Sequence, residues 1–169
     1  MTLALNPGQK LEAGTIFRID EQNIHVSKNI SDLFANRRVV VFMGPAPFSR
    51  LDTEQANAYE KLSAEILAQE VDAVIGIYVQ DAFVMKKFEE QVRQTSGSSN
   101  VELYGDGDGF FVRANYLTHD FTFQGLGTRC GRWAFVLNDG VIEHVECDEY
   151  QLIEKTSADN ILSYLKNET

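Results

Sequence analysis

Ser49 and Asp52 stand three residues apart where a helical pattern begins, directly after the proline-rich stretch Pro45-Ala46-Pro47-Phe48. A hydroxyl and a carboxylate at that spacing fit two readings. Asp52 can act as a general base toward the Ser49 hydroxyl, although no histidine is placed to complete a triad. Alternatively Asp52 is a helix cap, with Gln55 three residues later completing a capping box. Cys130 and Arg132 form a second pair. In an extended segment, residues two apart point to the same face, and Arg129 and Arg132 would both favour a Cys130 thiolate. The opposing reading of Cys130 is a semi-buried, inert thiol. Nothing near Cys147 suggests activation.

Other chemistries find less support. Two cysteines are too few and too widely spaced for a disulfide framework or a zinc site. His25, His119 and His144 show no ligand spacing and read as surface or turn residues. The run Gly105-Asp106-Gly107-Asp108-Gly109 resembles a calcium-binding loop, but Leu117 occupies the place where such a loop needs a bidentate glutamate. No metal and no cofactor is therefore expected. The formal net charge is −10, with acidic residues spread along the chain, which argues against a nucleic-acid partner. No apolar run approaches the ~18 residues a membrane span needs. The N-terminus lacks a basic-then-apolar leader, so a cytoplasmic address is the expectation. Apolar residues make up 44% and charged residues 24% of the 169 residues, which suits a single domain over residues 1–169.

The elements that must position these side chains follow from the patterning. Residues 16–19 and 23–26 flank Asp20-Glu21-Gln22 as a short hairpin, and Ser31–Phe34 forms one helical turn. Val39-Val40-Val41-Phe42 is a continuous apolar run, as a strand buried on both faces requires. Pro45 shapes the turn that ends it. From Asp52, Tyr59, Leu62, Ile66 and Leu67 recur at helical spacing, and residues 74–79 are a second buried strand. Strand, helix and strand in that order make a right-handed parallel crossover. A helix over 82–94, a polar loop over 94–100, a strand over 101–104 and a helix near 110–116 follow. Asn138-Asp139-Gly140 then joins strands 133–137 and 141–145 as a hairpin. Ser157 caps a closing helix over 158–165. The order is that of an α/β thioredoxin-like fold: a central mixed sheet flanked by helices, an N-terminal β-hairpin and an inserted segment.

The stretch Pro45 to Asp52 carries a family resemblance. Peroxiredoxins place a Pro, then a Thr or Ser four residues on, then the peroxidatic Cys three beyond that. Pro45, Phe48 and Ser49 match what the atypical type-II members have there, and Asp52 stands at the cysteine position. Phe42-Met43-Gly44-Pro45 resembles the family's strand end. Val79-Gln80-Asp81-Ala82-Phe83-Val84-Met85, Asp106-Gly107-Asp108-Gly109-Phe110-Phe111 and Ser157-Ala158-Asp159-Asn160-Ile161-Leu162 are similar to further type-II segments. Gly125-Leu126-Gly127-Thr128-Arg129-Cys130-Gly131-Arg132-Trp133 resembles the segment that delivers the catalytic arginine, which falls on Arg132. The resemblance spans nearly the whole chain and includes relatives fused to a glutaredoxin.

That resemblance implies a peroxiredoxin-type fold, a homodimer paired through loops around the site, and site positions Ser49, Asp52 and Arg132, with Pro45 and Phe48 in the pocket. In the family a thiolate attacks the peroxide O–O bond and leaves as a sulfenic acid. A second thiol, from the protein or from glutathione, resets it. A carboxylate has no sulfenic state, and Glu154-Lys155-Thr156 occupies the region of the family's second cysteine. The expectation is a homologue without thiol peroxidase activity, serving a binding or regulatory role with a protein partner. Asp52 also matches the charge and shape of a cysteine oxidised to sulfinate. The alternative is an active thiol peroxidase or reductase using Cys130 beside Arg132, reset by a glutathione- or glutaredoxin-type reductant.

Overall fold

The computed structural model describes residues 5–11 and 14–167. The N-terminal hairpin forms from β1 (Thr15–Ile19) and β2 (His25–Asn29), paired antiparallel. Its turn is longer than the sequence predicts. The Asp20 carboxylate accepts the amides of Gln22 (2.9 Å) and Ile24 (2.8 Å), which wraps the chain around that side chain. The short helix α1 (Ile30–Phe34) leads into β3 (Arg38–Met43), helix α2 (Arg50–Leu67) and β4 (Ala73–Tyr78). Next come α3 (Ala82–Ser96), β5 (Val101–Gly105) and the short α4 (Phe110–Ala114). The last sheet elements are β8 (Arg132–Asn138) and β9 (Val141–Asp148), followed by α5 (Ala158–Asn167). Between α4 and β8, β6 (Thr118–Asp120) and β7 (Thr128–Cys130) pair as a separate two-stranded ribbon, which the patterning of the sequence does not mark.

Seven strands form one mixed sheet in the order β2-β1-β5-β4-β3-β8-β9. β3, β4 and β5 run parallel, as a strand–helix–strand crossover requires. β8 is antiparallel to β3, with Met43 opposite Trp133. Both faces of the centre are buried, so alternate residues enter different cores. Val39, Val41 and Met43 face α1 and α4, whereas Val40 and Phe42 face α2, α3 and α5. β8 alternates likewise: Trp133, Phe135 and Leu137 to the first core, Ala134 and Val136 to the second. By the same alternation Arg132, at the head of β8, belongs to the second side, under α2.

Helix α3 runs two residues past the predicted end, to Ser96, and takes up part of the expected polar loop. Gly97 closes it in a left-handed cap at φ +73°. Glu60 fastens α2 to the start of β5. It is buried, and its oxygens accept from Ser98 Oγ (2.6 Å) and the amides of Asn100 (2.7 Å) and Val101 (2.8 Å). Among the described residues, no helix is long and apolar enough to cross a membrane.

Glu60→Leu removes the acceptor for three donors, of which the Val101 amide is buried and the other two are partly so. It should lower the unfolding free energy by about 3 kcal/mol in urea denaturation. A loss under ~1 kcal/mol would show that the loop before β5 finds its partners elsewhere.

Candidate functional site

The C-terminal end of β3, the first turn of α2 and the head of β8 meet at one point. Ser49, not Asp52, is the N-cap of α2: its hydroxyl accepts the Asp52 amide at 3.3 Å. The helix therefore starts two residues before the predicted position, and Asp52 sits at its third residue, where a negative charge is favoured by the helix dipole. Its side chain turns back over the cap. Oδ2 accepts the Ala46 amide (3.0 Å) and the Ser49 hydroxyl (2.9 Å), while Oδ1 accepts Arg132 Nη1 (2.9 Å). Gln55, expected to complete the cap, instead points across the site. Its Oε1 accepts the same Arg132 Nη1 at 2.8 Å, and its Nε2 donates to Thr156 O (3.3 Å) and Oγ1 (3.2 Å).

The pair is deeply enclosed, with Arg132 1% and Asp52 0% exposed. Such burial is tolerable only if the remaining polar atoms are satisfied. The other edge of the guanidinium, Nε and Nη2, donates to the Tyr150 carbonyl at 3.3 and 3.2 Å. Backbone space is equally constrained. A Cβ on Gly44 would lie 1.7 Å from Asp52 Oδ1 and 3.1 Å from Arg132 Nη1. The carboxylate is thus seated where a side chain on residue 44 would be.

A cavity of about 300 Å³ opens over the pair. Pro45, Ala46, Ser49, Arg50 and Leu51 form one wall; Gln124 and Leu126 of the inserted segment, with Tyr150 and Gln151, form the other. Ser49, Asp52, Arg132 and Pro45 are brought together as the sequence suggested. Phe48 is not with them. It takes a left-handed backbone at φ +70°, which turns its ring away from the cavity onto Phe88 of α3, with ring centres 5.2 Å apart.

Cys130 also departs from the expected placement on the Arg132 face. It ends β7, Arg132 begins β8, and Gly131 between them breaks the alternation that a continuous strand would impose. Cys130 enters the first core, with Sγ donating to the Gly44 carbonyl at 2.8 Å. Burial, with Asp52 nearby, pushes its thiol up to about 12 despite the opposing influence of Arg132. The expected help from Arg129 is absent, since its guanidinium donates to the carbonyls of Leu126 (3.0 Å) and Pro45 (3.3 Å). Cys147 lies on β9, where burial and the neighbouring Asp148 and Glu149 raise its thiol as well. No group of three or more His, Cys, Asp or Glu side chains among the described residues could hold a metal ion.

Three contributors were not legible as site residues: Gln55, Tyr150 and Gly44. The available signal was Arg132 itself, because a buried guanidinium with five donors requires more than one acceptor.

No protein-family model matches the chain. A peroxiredoxin of Synechocystis sp. is 31% identical over 147 residues, covering 82% of this chain and 76% of the relative. A peroxiredoxin of Rhizobium etli is 33% identical over 117 residues, 69% of this chain and 63% of the relative. Among solved structures, reduced Prx3 of Vibrio vulnificus in complex with hydrogen peroxide aligns with a TM-score of 0.86 and 28% identity, over 95% of this chain and 99% of that one.

Gly44→Ala should cost about 3 kcal/mol of stability, because the new methyl must displace the Asp52 carboxylate or the strand end. Thermal or urea unfolding measures it. A change below ~1 kcal/mol would mean that the carboxylate is not seated against residue 44.

Proposed function

The chain belongs to the peroxiredoxin family, and from that premise we propose that it is an atypical type-II member in which Asp52 replaces the peroxidatic cysteine and thiol peroxidase activity is lost. The observation that carries this reading is the engagement of the Asp52 carboxylate: both oxygens are occupied, by Arg132, Ala46 and Ser49, at the first turn of α2. A peroxidatic thiolate needs that helix terminus and that arginine to form, and needs the hydroxyl and the arginine to align the peroxide oxygens. Here the same groups are committed to a carboxylate. A carboxylate is a poor nucleophile toward peroxide, and it has no sulfenic state for a second thiol to reduce.

The rival reading, a peroxidase using Cys130, gains no support from geometry. Its thiol is fully buried, faces a carbonyl and is raised rather than lowered. The general-base reading is weakened likewise: Ser49 does donate to Asp52, but its oxygen also caps α2 and no histidine joins them.

A binding or regulatory role as a homodimer fits the surface. Phe48, Phe83 and Phe110 follow the C-terminal ends of β3, β4 and β5, and all three are exposed at the sheet end that holds the cavity. An apolar rim of this kind supports pairing of two copies through the loops around the site.

Steady-state peroxide consumption tests the reading, with dithiothreitol or with glutathione plus glutaredoxin as reductant. Wild type should match the protein-free background, and Asp52→Cys should gain reductant-dependent turnover. Peroxide consumption by wild type that is abolished by Cys130→Ser would overturn it.

A further inference from the structure

The segment between β9 and α5, residues 149–157, crosses the site as a strap. Most of its residues are exposed or half-buried, Thr156 alone being fully buried. At its far end Asp148 gathers it in. The carboxylate accepts the amides of Glu154 (2.9 Å), Lys155 (3.2 Å) and Thr156 (2.9 Å), and the Thr156 hydroxyl (2.8 Å). Burial works against the Asp148 charge, but these bonds outweigh it and hold the carboxyl below its usual range. Thr156 passes the connection inward. Its carbonyl accepts from Tyr59 Oη (2.7 Å), and its carbonyl and hydroxyl accept from Gln55 Nε2 (3.3 and 3.2 Å).

We infer that Gln55 is a positioning residue, coupling the strap over residues 149–157 to the orientation of Arg132 through the run Asp148–Thr156–Gln55–Arg132–Asp52. The amide of Gln55 is used at both ends. Its nitrogen reads the position of Thr156, and its oxygen holds Arg132 Nη1, the same nitrogen that binds Asp52. The strap has a second attachment to Arg132, through the Tyr150 carbonyl, but that bond meets Nε and Nη2 on the other edge of the guanidinium. Rotation of the plane about that edge is therefore set at Nη1 by Asp52 and Gln55 together, and of these two Gln55 is the one bonded to the strap. Because Tyr150 and Gln151 also wall the cavity, a shift in the strap changes the opening and the charge pair together. This coupling does not depend on which residue Asp52 replaces.

The Ala46 amide, bound to Asp52 Oδ2, is a remote reporter, distant in sequence from the strap and connected to it through the pair. Amide hydrogen exchange of the full chain is followed by NMR in wild type, Asp148→Asn, Gln55→Met and the double variant. The strap amides of Glu154 and Thr156 report local release, and the Val101 amide, held by Glu60 rather than by the strap, is the control for loosening elsewhere in the molecule. Asp148→Asn should speed exchange at the strap and, by about tenfold, at Ala46, with Val101 unchanged. In the Gln55→Met background the same substitution should free the strap without a further effect at Ala46. If the strap is freed and Ala46 does not respond, or responds equally with and without Gln55, the coupling is absent or runs through Tyr150 and the inference is overturned. Should Asp148→Asn accelerate Val101, Thr156→Val replaces it in the same comparison.

Discussion

A guanidinium and a carboxylate held together out of contact with water are the constraint around which this site is organised. Arg132 and Asp52 meet at 2.9 Å, and both are essentially inaccessible. Removing two such ions from water costs several kcal/mol each. Their attraction offsets that cost only where geometry is good and the remaining donors and acceptors are matched. The molecule meets the condition from four directions. α2 and its N-cap supply Gln55 and Ser49, the turn after β3 supplies the Ala46 amide, the strap supplies the Tyr150 carbonyl, and Gly44 leaves the space that Oδ1 occupies. Loss of either ion would strand the other in a region of low dielectric, so each of these elements is held by the same need.

The sheet places the pair. Antiparallel register of β3 with β8 sets Met43 opposite Trp133, which brings Gly44 and Arg132 together at the sheet end where α2 begins. Strand alternation then sends Arg132 under α2 and Trp133 to the opposite core. The chain shares this architecture with solved structures that include reduced Prx3 in complex with hydrogen peroxide. Even at 18% identity, peroxiredoxin 5 of Alvinella pompejana retains the fold, with a TM-score of 0.83. The fold rests on buried strands and two apolar cores, and a fold so held constrains the chemistry of the site only loosely.

Legibility in the sequence followed the range of the forces involved. Val39–Phe42 reads as a strand buried on both faces, and Asn138-Asp139-Gly140 as a hairpin, because local patterning suffices for each. The Ser49–Asp52 spacing likewise revealed the head of α2, although the cap proved to be Ser49. Relationships through space were not legible. Gln55 looks like a capping partner, and its true partners lie 77 and 101 residues away in Arg132 and Thr156. The two-residue spacing of Cys130 and Arg132 suggested a common face, which fails because Gly131 separates a ribbon strand from a sheet strand. Phe48 departs through a left-handed backbone that propensity does not anticipate in an aromatic residue.

A double-mutant cycle on Asp52 and Arg132, measured as unfolding free energy in urea, tests most directly whether the buried pair governs the site. Wild type, Asp52→Asn, Arg132→Met and the double variant complete the cycle. The account predicts single losses of about 3–5 kcal/mol and a coupling of about 2 kcal/mol or more, because removing one ion leaves the other uncompensated. Additive losses, with a coupling under ~0.5 kcal/mol, would contradict it and would make the two residues independent neighbours in a site organised by something else.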